Sequence, residues 1–482
     1  MPRYCSGTMS NVSRRLLGAL RLLALALIAL NLAAPLLTEK TAWGLWPMTY
    51  VPSALRWVLA LAAAALVLFG DRLRMPAWLD RLNLGSPWTR LGLAALCAIP
   101  FYLLRIRHLR WGDAKVLVQA IPHPDFKLTY IWQAPLDVFL HAKGWALGNQ
   151  LFGWVDPRPV YWILSTAAGV AFIWVLLGLA GWLGRTRTER ALIVGLVITL
   201  GTMELFFGYI ENYTFMTLGV LIYIWLALRA IRGQTPLVWA AIALALTNAF
   251  HPSTIILTPS LLYAGFLAAR GGHRSDSTGD ELPSVAPMGG RRPRSAWHAA
   301  ASIVVPYVLV FAGVVALMTS GGHGLDALVG ADAPGGGDRR WLVPLLRATT
   351  KFEHYTMFSL GHVQDILNEQ LLVAPAILPG LILIVLFAWS RLPLRDPIFR
   401  LLALMAACYL LLTLTWNADY GGQRDWDLFA PAAIPAAILL GYALPWALPE
   451  ARALSGAGWA LVAAQGFHLI AWIYQNTLPA GS

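Results

Sequence analysis

Apolar residues run in unbroken stretches along this chain, without the period-two alternation of a half-buried strand. Stretches of about 17–22 residues can cross roughly 30 Å of hydrocarbon as α-helices. Backbone inside a bilayer must satisfy its own hydrogen bonds, which leaves helices or closed barrels, and continuous apolar runs select helices. The pattern predicts about 13 spans, near 16–37, 54–70, 91–104, 160–183, 191–207, 214–230, 236–250, 253–269, 298–318, 371–389, 398–415, 428–446 and 456–475. The expected fold class is therefore all-α: a polytopic transmembrane helical bundle forming a single integral membrane domain over 1–482.

The polar positions between these runs differ from one side to the other. Arg72, Arg74, Arg81 and Arg90 border one connection, and Arg185, Arg187 and Arg190 a second. Arg291, Arg292 and Arg294 crowd a third, and Arg391 and Arg395 a fourth. Arginine marks cytoplasmic loops, so the N-terminus is expected in the cytoplasm and the C-terminus outside. The first run follows Arg14 and Arg15 and lacks a small-residue cleavage site, which reads as a retained span. Residues 271–296, rich in Gly, Ser, Pro and Arg, read as a disordered cytoplasmic loop.

Composition agrees. Hydrophobic residues are 58% of the chain and charged ones 12%, too few to cover a soluble surface of this size. A net charge of +12 would point to nucleic acid in a soluble protein. Here the arginines flank apolar runs and act as topology signals, so no nucleic-acid partner is expected. Cys5, Cys97 and Cys408 are scattered, which predicts neither a disulfide framework nor a thiolate metal site. Arginine and alanine richness hints at a GC-rich bacterium, and hence at the bacterial cytoplasmic (inner) membrane. The chain shows no internal repeat, which counts against a transporter built from inverted repeats.

On the other side lie two long loops, 105–159 and 319–370, and short ones at 208–213, 251–252 and 416–427. Most acidic residues gather there, with Lys40, Lys115, Lys127, Lys143 and Lys351. Such mixed charge marks a candidate site. Gly112-Asp113-Ala114-Lys115 follows the third span. Asp113 is either a general base, with its pKa raised by a partly dry setting, or the N-cap of a helix starting near 114. Glu204 falls within an apolar run, where an ionisable group usually faces a cavity or a partner. Glu211 and Asn212 follow in a short turn between tyrosines, and a continuing helix would bring Glu204 and Glu211 onto one face. His251, before Pro252, could meet a phosphate as imidazolium, ligate a metal or bond an acidic neighbour. His362, Asp365 and Asn368 recur every three residues behind a capping Ser359, along one side of a helix. Asn417 to Asp427 is the densest polar loop. Its paired glycines allow a sharp turn, Arg424 offers a fork for phosphate, and Asp425-x-Asp427 leaves a divalent cation possible. No metal ligands are otherwise assigned, and no cofactor is certain.

With these residues together, the chain resembles the GT-C superfamily of polytopic glycosyltransferases, relatives of the protein mannosyltransferases and aminoarabinose transferases. The matching features are Gly112-Asp113, the Gly208-Tyr209-Ile210-Glu211-Asn212-Tyr213 turn, Phe250-His251, the Phe358 to Asn368 run, and Arg424-Asp425-Trp426-Asp427. They spread over about 91–446, the part expected to be GT-C-like, with the spans in 16–70 as an N-terminal addition. The resemblance implies a polyprenyl-phosphate-linked sugar donor, inverting transfer, and an active site on the periplasmic face, with short juxtamembrane helices in the outer loops. The acceptor would be a glycan, a lipid or a protein. Asp113 matches the family's general base, although that acid usually follows the first span rather than the third, and its usual acidic companion is replaced by Lys115. Substrate contacts are then expected from Lys115, Glu204, Glu211, Asn212, His251, His362, Asp365, Arg424, Asp425 and Asp427. A flippase or transporter of lipid-linked glycans and a surface-polysaccharide polymerase or ligase are the alternatives.

Overall fold

The computed structural model describes residues 9–73, 85–270, 296–330 and 340–479. The connection expected to be disordered lies outside the described residues except for Ala296, as do Arg74, Arg81, Arg291, Arg292 and Arg294. The structure is 73% helix, with no strand among the described residues. Its principal helices are α1 (Asn11–Ala33), α2 (Ser53–Phe69), α3 (Pro87–Leu96), α4 (Ala98–Leu103), α5 (Ala114–Ala120) and α6 (Pro135–Phe152). There follow α7 (Arg158–Leu183), α8 (Arg187–Ile198), α9 (Thr214–Ile231), α10 (Leu237–Phe250), α11 (Thr258–Ala269) and α12 (Ala296–Ser320). The last five are α13 (Leu360–Val373), α14 (Ile377–Ala388), α15 (Pro397–Thr415), α16 (Ala433–Ala447) and α17 (Ala451–Thr477).

Among the described residues, 8 helices are long and apolar enough to cross a membrane, or up to 9 if α13 and the segment Ile377–Arg391, bent by 97°, are one span. This is a multi-pass helical membrane protein. The expected runs near 54–70 and 236–250 are shorter apolar helices, α2 and α10. The run near 91–104 divides at Cys97 into α3 and α4. That near 191–207 also ends early: α8 stops at Ile198, and Gly201–Phe206 winds as a tighter 3-10 turn.

Helix starts follow local chemistry. Ser10 accepts the Ser13 N–H at 3.2 Å ahead of α1, and Asp396 accepts the Ile398 N–H at 2.7 Å ahead of Pro397. Such caps satisfy donors that the first helical turn leaves orphaned. α16 and α17 lie at the centre, with Trp472 and most of their other side chains buried. α12 is the opposite case: Val304, Val305, Val308, Leu309 and Phe311 are all exposed, an apolar stripe suited to lipid.

The two ends of the bundle carry different polar networks. At one end, Arg391 donates to Ser10, Ser13 and the Ala447 carbonyl, while Arg21 and Arg452 both bond Asp71. Within the bundle, His468 and Asn31 share a 2.8 Å bond that ties α17 to α1. At the far ends of those helices, residues 38–50, 104–113, 207–213, 352–368 and 416–427 meet, and these segments build the candidate site.

Candidate functional site

The centre of the site is a set of four carboxylates from three segments. Gly112 adopts φ +44°, a left-handed backbone that glycine reaches without strain. A Cβ there would strike Glu211 Oε1 and sit 3.4 Å from Asp427 Oδ2. Glu211 accepts the backbone N–H groups of Asp113 and Asn212. Asp427 accepts the Tyr209 hydroxyl at 2.9 Å. Asp425 accepts the Tyr420 N–H at 2.8 Å, and the Tyr420 hydroxyl bonds Asp113. The segments are clasped by Gly112 N–H to the Arg424 carbonyl and by the Arg424 guanidinium to the Gly112 carbonyl, both 3.0 Å. The guanidinium also covers the Tyr420 ring, 4.6 Å from its centroid.

This arrangement favours protons on the acids. Burial raises the Asp113 pKa, opposed by the Tyr420 hydrogen bond and the Arg424 charge. Burial raises Glu211 well above the usual range, and the charges of Asp427 and Asp113 push it further. Asp425 rises chiefly by burial as well, against the pull of the Tyr420 N–H. A buried carboxyl with a like-charged neighbour keeps its proton into the range where acids and bases work at neutral pH. The set therefore combines proton-holding acids, a partly exposed Asp113 and one exposed guanidinium.

A second layer holds the loops in register. Asp365 accepts from the Trp43 indole and the Gly422 N–H, each at 2.9 Å. Asn368 accepts the Gly44 N–H at 2.9 Å and donates to the Thr41 carbonyl at 3.0 Å. His362 reaches the Met357 carbonyl at 2.8 Å and stacks on Tyr355, whose hydroxyl bonds Asp365. Glu39 receives Gln423 at 2.8 Å and also Arg110. Further along, His354 meets the Asp419 carbonyl at 2.8 Å, and Asn417 donates to the Phe352 carbonyl at 3.1 Å.

The structure thus brings together Asp113, Glu211, Arg424, Asp425 and Asp427, with Asn212 alongside. Asp113 stands at the N-cap position of α5, but its side chain makes no capping bond. His251 is one ring removed: it bonds Ser253 and lies 4.9 Å from the Tyr213 ring. Burial lowers its pKa to about 3, so it is a neutral imidazole and not a phosphate-binding cation. His362 and Asp365 belong to the supporting layer. Lys115 is exposed on α5. Glu204 corrects the expectation of a shared face with Glu211. The helix does not continue past Ile198, and the tighter turn leaves Glu204 buried and facing Asn476.

Tyr209 and Tyr420 carry no role in the sequence beyond standing beside the acidic residues of their loops. Nor do Asp137 and His141 in α6, 0% and 2% exposed, stand out among the loop acids. Their i, i+4 spacing was the available signal. Among the described residues, no three His, Cys, Asp or Glu side chains group as a metal-holding set. Asp425 and Asp427 have different partners, the Tyr420 N–H and the Tyr209 hydroxyl. No protein-family model matches this chain, and no curated protein matches it closely enough to establish a relationship.

Proposed function

We propose that this protein is a GT-C-type membrane glycosyltransferase, moving a sugar from a polyprenyl-phosphate-linked donor to an acceptor with inversion. We place it in a bacterial inner membrane, with its site on the periplasmic face. The observation that carries this reading is the convergence of Asp113, Glu211, Asp425 and Asp427 beside Arg424, where loops meet at one end of an apolar bundle. Asp113 takes the proton of the acceptor hydroxyl as its oxygen attacks the anomeric carbon. The bond from that carbon to the lipid phosphate breaks, and the phosphate leaves with the electron pair. Arg424 meets the charge that develops on it, an interaction that stabilises the transition state more than the ground state. Glu211 keeps its proton and offers an O–H to a sugar oxygen, and Asp425 does the same from the facing loop. A base with a raised pKa is well matched to neutral operation.

Transfer from radiolabelled polyprenyl-phospho-sugars in proteoliposomes tests the reading. The wild type transfers label, and Asp113→Asn loses it; full turnover by that variant would falsify the base assignment. A polymerase or ligase of lipid-linked glycans is the second reading, and one observation favours it. An open groove of about 520 Å³ is lined by Arg340, Arg347, Trp341 and Glu353, a cationic and apolar surface for a lipid-linked phosphate. Its strand-like edge joins the site loop through Val343 N–H to the Thr415 carbonyl and Asn417 N–H to the Trp341 carbonyl, both 2.9 Å. Loss of activity in Arg340→Ala and Arg347→Ala while Asp113→Asn stays active would select this second reading.

A further inference from the structure

One buried polar group is not used by the proposed reaction. Asp137 and His141 stand one turn apart on α6, with His141 Nδ1 3.0 Å from Asp137 Oδ2. The same nitrogen lies 2.8 Å from the Asp137 carbonyl. The imidazole lies flat on Tyr161 of α7, with centroids 3.9 Å apart and planes 12° from parallel. Apart from that approach of His141, neither the Asp137 carboxylate oxygens nor the Tyr161 hydroxyl has a hydrogen-bond partner among the described residues. Tyr161 packs in one apolar cluster with Ile210 and Ala114, the chain neighbours of Glu211 and Asp113. Asp137, Glu211 and Asp113 all act electrostatically on its hydroxyl. Held as ions, a pair this buried loses several kcal/mol of hydration per ion, so stability alone is a weak reason for it.

We propose that Asp137 and His141 are positioning residues for the carboxylate site, a carboxylate–imidazolium pair seated behind Tyr161 whose net neutrality sets how tightly Glu211 and Asp113 hold protons. Other charged and titratable groups surround it. Arg424, Asp425, Asp427 and Tyr209 face Glu211 and Asp113 from the far side. α10 and α12 pack on α6 and carry His251 and His323 at or just past their ends, and Lys143 lies exposed on α6 itself. Each half of the pair therefore has an effect of opposite sign. His141→Gln leaves a bare carboxylate behind Tyr161, which makes the site's acids hold their protons to higher pH. Asp137→Asn leaves a cation and does the reverse. The double variant restores neutrality.

The readout is the infrared carboxyl absorption of purified protein in lipid, titrated with pH and assigned by its loss in Glu211→Gln and Asp113→Asn. The midpoint is expected to rise by about one pH unit in His141→Gln, to fall in Asp137→Asn, and to return near wild type in the double variant. Shifts in the same direction for both single variants, or none, would overturn the proposal. Should a single variant fail to fold, carbon-13 NMR of His141 in the wild type decides. A ring that stays neutral at every pH where those carboxyls titrate overturns it, and a charged ring there upholds it. The role in catalysis rests on the transferase reading, and its sign is the same shift in the pH profile of transfer. A wild type that transfers no sugar defeats that reading alone, because the infrared titration needs no substrate.

Discussion

At the scale of single residues, the site is defined by proton affinity. On the transferase reading, Asp113→Asn should cut transfer by about 10²–10⁴-fold, the usual worth of a positioned general base, with little change in folding. Glu211 gives a second, substrate-free prediction. Its folded-state pKa lies above the unfolded value, so the native state binds more protons between the two and wild-type stability falls as pH rises through that window. Glu211→Gln removes this slope. Its melting temperature should exceed that of wild type at neutral pH, with the gap smallest in acid; a gap that widens in acid would refute the assignment. The acids themselves were legible in the sequence, because charge is scarce in this chain and clusters in the loops of one side. Their partners were not. Tyrosine next to an apolar run reads as an interface anchor, and only the fold shows the Tyr209 hydroxyl on Asp427.

At the scale of elements, the apolar runs marked most helices well, since run length and span length are set by the same hydrocarbon thickness. The departures occur where hydrophobicity continues but helical backbone does not. Residues 199–207 are apolar enough to extend α8, yet Gly201 packs so tightly on the Leu372 carbonyl that a Cβ would have no room. Nothing in a hydropathy profile records that contact. The capping of α13 by Ser359 and the shared side of His362, Asp365 and Asn368 were readable, because both follow from spacing. What they hold was not readable: Trp43, Gly44 and Gly422 lie far away in the chain. Asn368→Ala leaves the buried Gly44 N–H unpaired and should cost about 1–3 kcal/mol, measurable as a lower denaturation midpoint in detergent. Gly112→Ala combines a left-handed backbone with a clash on Glu211, so it should lower the melting temperature and, on the transferase reading, abolish transfer together.

At the scale of the whole molecule, the arrangement separates an arginine-tied end from a carboxylate-bearing one. Single cysteines at Lys351 and Arg395 should therefore react with an impermeant maleimide from opposite faces of oriented vesicles, and labelling of both from one face would break the proposed topology. The carboxylate site also straddles the chain. Asp113 and Glu211 precede residues 271–295, and Arg424, Asp425 and Asp427 follow them. During synthesis the first two acids are made before Asp425, Asp427 and the clasp from Arg424. The Asp427 charge that pushes on Glu211 is added only once that late loop is made. On the transferase reading, a chain halted before residue 424 lacks the guanidinium that would meet the leaving phosphate, so no transfer is expected from it.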